Sequence, residues 1–97
     1  MNTDEIVELN NDNFEIIERK SLSLITFGVS WSVTCNLQNS MVKNVIKIFG
    51  DKVFFGTVDV EKSPELKTRY TIETLPSIIV MKNGCEVKRF EGVQRGK

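Results

Sequence analysis

The stretch that decides the fold is residues 31–36, which read Trp-Ser-Val-Thr-Cys-Asn. It follows an apolar run at 22–29 and opens a segment whose apolar residues recur at helical spacing. A strand that leads into a helix N-terminus would place Cys35 beside free N–H groups, which favour a thiolate. The position that would complete a Cys-x-x-Cys pair holds Ser32. The stretch therefore has the local structure that favours thiol chemistry, but it contains only one of the two cysteines of a Cys-x-x-Cys pair.

The chain around this stretch alternates predicted strands and helices. In the first half, this alternation predicts parallel strands joined by right-handed crossovers. The pair Asn83-Gly84 predicts a tight hairpin between the last two strands. We therefore predict an α/β fold with a mixed central sheet, in the order β-α-β-α-β-α-β-β, with helices on both faces. The predicted strands are 6–9, 22–29, 53–60, 77–81 and 86–91, and the predicted helices run to about residue 20, from 34 to 49, and from 63 to 70.

Capping residues mark the predicted helix starts. Asp12 with Glu15 fits a capping-box-like start for the first helix, and Ser63 is a hydroxyl cap ahead of a proline. Ser32 suits the same capping role at the long helix. Its alternative interpretation is the replacement of an attacking cysteine, and the two interpretations are compatible.

Composition limits the class of protein. The 97 residues allow one domain, 1–97, and the 13 basic and 13 acidic residues balance, so nothing indicates a nucleic-acid or anionic-membrane partner. The acidic N-terminus does not resemble a signal peptide, and no apolar run is long enough to span a membrane. With no histidine and two cysteines, we expect no metal and no cofactor, and a reducing, cytoplasmic location.

Four features together resemble the thioredoxin family over Ile6 to Gly92, and they imply the thioredoxin fold. Each feature is weak alone, but their order and spacing are specific. They are the apolar strand leading to Trp31 and Cys35, Val58-Asp59-Val60 before a Ser-Pro helix start, Tyr-Thr-Ile-Glu-Thr-Leu-Pro-Ser at 70–77, and the Lys82-Asn83-Gly84 hairpin with Gly92 eight residues later.

The resemblance assigns roles residue by residue. In this family the first cysteine attacks a substrate disulfide and the second resolves the mixed disulfide. Ser32 occupies the place of the first and Cys35 that of the second, within Trp-Ser-Val-Thr-Cys instead of Trp-Cys-Gly-Pro-Cys. The residues that the resemblance places in the substrate groove, with a cis bond before the proline, are Trp31, Val33, Thr34, Leu75, Pro76 and Gly92.

Departures from the family pattern change the chemistry that the resemblance implies. Thr26 and Thr57 stand where the resemblance expects a buried acid and a lysine. A serine hydroxyl is not ionised near neutral pH and forms no disulfide, so residues 32 and 35 cannot be linked. Cys35 is then either a surviving redox thiol or, as we favour, a small buried helix residue, and Cys85 is an exposed thiol.

Two functions follow, and whether the chain is an enzyme stays open. The first is a thioredoxin-like thiol–disulfide oxidoreductase of cell redox homeostasis, impaired at Ser32, with protein disulfides as substrates and a thioredoxin-reductase-type electron donor. The second is a naturally redox-inactive module that binds extended peptides or a protein partner. Ser32 is either natural or an engineered replacement of cysteine.

The end of the sequence is a further departure. The resemblance expects one more helix after Gly92, and that final family helix is missing. We expect the uncovered sheet face to mediate self-association, or the helix to have been lost from the expressed protein.

Overall fold

The structure is a computed structural model that describes residues 6–49 and 52–92. It contains five strands, two α-helices and one 3-10 helix, which spans Phe14–Arg19. The strands are β1 (Val7–Leu9), β2 (Leu22–Gly28), β3 (Phe54–Asp59), β4 (Ser77–Lys82) and β5 (Cys85–Glu91), and the helices are α1 (Val33–Phe49) and α2 (Pro64–Arg69).

One mixed sheet holds all five strands in the order β1-β3-β2-β4-β5. β3 pairs in parallel with both β1 and β2, whereas β4 pairs antiparallel with β2 and β5. The predicted α/β class and mixed sheet are confirmed. β2 is the middle strand and is covered on both faces. Its apolar side chains therefore lie on both faces, and apolar and polar residues do not alternate along it.

Hydrophobic clusters cover the two faces of the sheet. On one face, Val42 and Ile46 of α1 pack with Phe55. On the other, the 3-10 helix and α2 contribute Phe14 and Leu66 to a larger cluster around β2. Only four residues separate the end of β2 from the beginning of α1. The first turn of that helix therefore lies near the middle strand of the sheet.

The first predicted helix forms as a single 3-10 segment. The prediction of a capping box from Asp12 and Glu15 is wrong. Asn13, not Asp12, is the N-cap residue, and it makes no side-chain cap hydrogen bond. Three residues per turn place Phe14 and Ile17 on one buried face and leave Ile16 37% exposed. Ser63 is the N-cap residue of α2 as predicted, but its hydroxyl does not make the expected cap hydrogen bond.

The predicted hairpin is confirmed. Asn83 and Gly84 both have positive φ, 53° and 83°, as a type I′ turn requires. Its second strand contains a bulge that the sequence did not predict, where the register shifts between Val80 and Met81. The expectation about a missing final helix concerns residues after Gly92, which lie outside the described residues, and it stays a prediction.

Two fully buried serines provide a matched test of hydrogen bonding in this sheet. Among the described residues, the Ser23 hydroxyl has no hydrogen-bond partner, whereas the Ser77 hydroxyl donates to the Thr74 carbonyl oxygen. We expect Ser23→Ala to raise the free energy of unfolding by about 1 kcal/mol, and Ser77→Ala to lower it by about as much. Urea unfolding of both variants measures this, and equal losses would contradict the expectation.

Candidate active site

Ser32 caps the N-terminus of α1, as the sequence predicted. The N–H group of Cys35 donates to its Oγ atom at 3.3 Å, and the N–H group of Asn36 donates to its carbonyl oxygen at 3.1 Å. The Ser32 hydroxyl also lies 3.0 Å from that of Thr34. The side-chain oxygen at this position therefore has a structural role, since it accepts a hydrogen bond from one of the N–H groups that lack a partner within the helix.

Cys35 is a buried free thiol, as predicted, with 3% of its surface exposed. A methyl group on Gly28 would lie 2.7 Å from the Cys35 Sγ atom, so only glycine permits this contact. The other cysteine, Cys85, is exposed and free in the first position of β5. The sulfur at the candidate site therefore faces the sheet, and its access to solvent is small.

A neutral polar cluster lies behind the motif, where the resemblance expects charged residues. Buried Thr26 shares hydrogen bonds with Asn39 Oδ1 at 3.1 Å and Thr57 Oγ1 at 3.0 Å. Because Thr26 has one hydroxyl proton, it donates one of these bonds and accepts the other. Asn39 was missed in the sequence, since an asparagine within a helix carries no signal that it faces the sheet.

A cavity of about 210 Å³ joins this cluster to the thiol. Thr26, Cys35, Asn39 and Thr57 all line it, and so does Pro76. The charged pair Glu8 and Lys62 also lines it, with nitrogen and oxygen 3.7 Å apart and both side chains mostly exposed. Asp59 lines the cavity as well, so two carboxylates border it, whereas Thr26, Asn39 and Thr57 contribute the hydroxyl and amide groups.

The loop before β4 forms the opposite wall of the cavity. The Leu75–Pro76 peptide bond is cis, Leu75 is half-buried and Pro76 is buried. The Pro76 carbonyl oxygen accepts a hydrogen bond from the N–H group of Gly92 at 2.8 Å. Gly92 has φ of +83°, a conformation that side chains rarely adopt. The structure therefore brings Cys35, Pro76 and Gly92 to one place.

Trp31, Val33 and Thr34 are the exposed part of the motif. Trp31 is 71% exposed, and its indole N–H group donates to Glu61 Oε1 at 2.9 Å. Glu61 comes from the loop after β3 and is thirty residues away from the tryptophan, so no local sequence pattern predicts this hydrogen bond.

Arg89 holds the beginning of the loop that carries Leu75 and Pro76. Its guanidinium group donates to the carbonyl oxygens of Tyr70 at 2.6 Å and Thr71 at 3.2 Å, and it makes two 2.9 Å hydrogen bonds to the Glu86 carboxylate. Glu86 and Arg89 are three residues apart, a separation that would place them on opposite faces of a regular strand.

The bulge in β5 explains how this ion pair forms. Arg89 lies opposite Ile79, and Glu86 lies opposite Met81, so one extra residue, Val87, separates the two pairings. Ile79 and Met81 are two positions apart and share a face, and both charged residues therefore face the same side of the sheet. Periodicity could not predict this ion pair, because it depends on the bulge.

Residues 5–97 match the model of the Thioredoxin family. The chain belongs to the thioredoxin family. The predicted resemblance is therefore confirmed at the level of the family.

Individual relatives agree with this assignment. The chloroplastic thioredoxin Y of Oryza sativa subsp. japonica is 34% identical over 79 residues, which cover 80% of this chain and 47% of that protein. The chain thus spans about half the length of that relative. The thioredoxin of Buchnera aphidicola subsp. Acyrthosiphon pisum is 27% identical over 81 residues, covering 81% of this chain and 75% of that one.

A solved structure supports the fold. The X-ray structure of the Fasciola hepatica thioredoxin is 28% identical, has a TM-score of 0.82 and covers 92% of this chain and 88% of that chain. Between residues 6 and 92, no group of three or more metal-ligating side chains comes together, leaving aside the undescribed positions 50 and 51. In the same part of the chain, neither helix is long and apolar enough to cross a membrane.

The Glu86–Arg89 pair makes stability depend on pH. The hydrogen bonds from Arg89 lower the pKa of Glu86 below its ordinary value of 4.5. A lowered folded-state pKa contributes stability above the unfolded-state pKa, and that contribution is lost as the pH falls through the folded-state value.

We therefore expect Glu86→Gln to lower the free energy of unfolding near pH 7 by at most about 1 kcal/mol, since partial exposure screens the pair. At an acid pH below the lowered folded-state pKa of Glu86, the variant and the parent should become equal. Urea unfolding at both pH values measures this, with Glu73→Gln, a change at an exposed acid, as the control. A loss of the same size at both pH values would show that the pair's charge is not responsible.

Proposed function

We propose that this chain has the site of a thioredoxin-like thiol–disulfide oxidoreductase of cell redox homeostasis, and that Ser32 prevents it from cycling a disulfide. The observation that carries the proposal is the hydrogen bond from the Cys35 N–H group to Ser32 Oγ. This hydrogen bond supports the assignment of Ser32 to the place of the family's attacking cysteine, because it puts Ser32 at the N-terminus of α1, beside a helix N–H group. The shared fold and the match to thioredoxins support the assignment of the site.

The role of position 32 follows from the chemistry. A cysteine thiolate there would be stabilised by the Cys35 N–H group and by the N-terminal end of α1. It would attack one sulfur of a protein disulfide and release the other as a thiolate, which gains a proton. The Cys35 thiolate would then attack the mixed disulfide, release the reduced protein and leave a disulfide between residues 32 and 35. A thioredoxin-reductase-type donor would supply two electrons and two protons to reopen it.

Ser32 removes the first of these steps. Its hydroxyl is not ionised near neutral pH and cannot form a bond to sulfur that a second thiol would resolve. Cys35 is a poor substitute nucleophile, because it is buried against Gly28. Leu75, Pro76 and Gly92 would still form one wall of the substrate groove, and Trp31, Val33 and Thr34 the other.

Reduction of insulin by dithiothreitol tests the proposal. We expect the chain as written to add nothing to the rate of dithiothreitol alone, and Ser32→Cys to accelerate insulin precipitation because it supplies the missing nucleophile. All proteins should carry Cys85→Ser, so that the exposed thiol does not contribute. In the Ser32→Cys protein, Cys35→Ser should stop turnover and allow a mixed disulfide to accumulate, which mass spectrometry detects. Activity of the parent protein would contradict the proposal.

A second candidate function is a naturally redox-inactive module that holds extended peptides or a protein partner at this groove. The neutral cluster of Thr26, Asn39 and Thr57 favours it, since one substitution at position 32 would not explain the loss of the buried acid. If Ser32→Cys gains no activity although its thiol reacts with alkylating reagents, the second candidate is the better explanation.

We further propose a reducing compartment, such as the cytoplasm, in which the two free thiols of Cys35 and Cys85 would persist. Three of the relatives are chloroplastic thioredoxins, and plastids are another compartment to consider. Protein disulfides and a reductase of the thioredoxin-reductase type are the partners that the proposed chemistry requires. Expression of a tagged full-length gene product would test the location.

A further inference from the structure

Thr71 has a backbone conformation that its side chain disfavours. Its φ is 52°, in the left-handed region that β-branched residues rarely adopt. Its N–H group donates to the Thr68 carbonyl oxygen at 3.2 Å. The next N–H group, that of Ile72, donates to the Lys67 carbonyl oxygen at 2.9 Å. Such a pair of hydrogen bonds closes α2 around one left-handed residue, which is usually glycine. Because Thr71 is exposed, packing of its side chain contributes little against this strain.

Arg89 holds the two peptide groups that flank Thr71. Its guanidinium group donates to the Tyr70 carbonyl oxygen at 2.6 Å and to the Thr71 carbonyl oxygen at 3.2 Å. These carbonyl groups belong to the planar peptide groups before and after the Thr71 Cα atom, so holding both restricts the φ and ψ angles between them. The Glu86 carboxylate holds the guanidinium group in turn, through two hydrogen bonds of 2.9 Å. Arg89 therefore stabilises the disfavoured conformation of Thr71.

The conformation of Thr71 affects the wall of the candidate groove. Leu75 and Pro76 lie within five residues of it, in a loop without helix or strand between α2 and β4. A rotation at Thr71 therefore displaces the backbone that follows. The displacement extends to Pro76, whose carbonyl oxygen accepts the hydrogen bond from the Gly92 N–H group at 2.8 Å. The backbone of Leu75 lies between these two held points.

We propose that Arg89 is a positioning residue for substrate binding. By holding Thr71 in the left-handed conformation, it places the backbone of Leu75 where an extended protein substrate binds. This inference rests on the proposed function, because it concerns the groove of that reaction. Main-chain hydrogen bonds give an extended peptide its affinity, and they depend on the position of the backbone that it meets. Because Arg89 acts through the loop, its loss should weaken substrate binding more than it slows the chemical step.

Insulin reduction by dithiothreitol, measured in the Ser32→Cys protein with Cys85→Ser, tests the proposal. We expect Arg89→Met to raise the KM for insulin about tenfold and to leave kcat within about twofold. Loss of folded protein would instead lower kcat and leave the KM unchanged, because it removes active molecules. Lys88→Met is the matched control and should leave both values unchanged. It removes a positive charge from the neighbouring position, which is exposed on the other face of β5.

The coupling between Arg89 and Thr71 gives a more specific test. Glycine adopts the left-handed conformation without strain, so a loop with glycine at this position depends less on the arginine. In the Thr71→Gly protein, Arg89→Met should therefore raise the KM for insulin less than about threefold. Circular dichroism verifies that each variant is folded before its kinetics are compared.

Amide hydrogen exchange, followed by NMR, tests the role of Arg89 without any activity. In the chain with Ser32, Arg89→Met should raise the exchange rates of the Thr71 and Ile72 N–H groups at least about tenfold, since their hydrogen bonds require the left-handed residue. The N–H groups of β2 should exchange at an unchanged rate, which would show that the opening is local.

Three results would overturn the proposal. They are an unchanged KM in Arg89→Met, an equal rise in the KM with threonine or glycine at position 71, and unchanged exchange of the Thr71 and Ile72 N–H groups. Failure of the proposed function is distinguishable, because hydrogen exchange does not depend on catalysis. An inactive Ser32→Cys protein in which Arg89→Met still raises exchange would remove the enzyme and keep Arg89 as the residue that positions the loop.

Discussion

The contact between Cys35 and Gly28 fixes the rest of the site. Gly28 ends β2, and its lack of a side chain lets the first turn of α1 approach the sheet until a methyl group would lie 2.7 Å from the sulfur. This approach sets the direction of α1, and with it the position of Ser32 at the helix N-terminus. It also buries the single sulfur of the motif. A thiol in this position suits a second, internal reaction step better than a first attack on an external disulfide.

The surroundings of that sulfur are consistent with a serine at position 32. Ser32 satisfies the Cys35 N–H group, and buried Thr26 behind it makes hydrogen bonds to half-buried Asn39 and Thr57, which involve no charge. A buried carboxylate lowers stability unless it is paired and hydrogen-bonded. A site without an attacking thiolate has no need for one, so the neutral cluster and the serine are physically compatible.

The second wall of the site depends on a different part of the chain. Arg89 reaches from β5 to the carbonyl oxygens of Tyr70 and Thr71 and so fixes the beginning of the loop that leads to Pro76. The loop's other end is tied by the hydrogen bond from Gly92 to the Pro76 carbonyl oxygen. Edge strand β5 thus positions a loop at the centre of the site, which would explain why an edge strand carries a half-buried arginine.

The sequence by itself determined the fold class, the strand order along the chain, the hairpin, the position of the motif and the burial of Cys35, because local periodicity, turn residues and a family pattern encode them. Tertiary structure alone decided the partners of Thr26, Trp31 and Arg89. Those contacts join residues up to thirty-one positions apart. They depend on strand register and on one bulge, and a register shift of one residue reverses which face a side chain occupies.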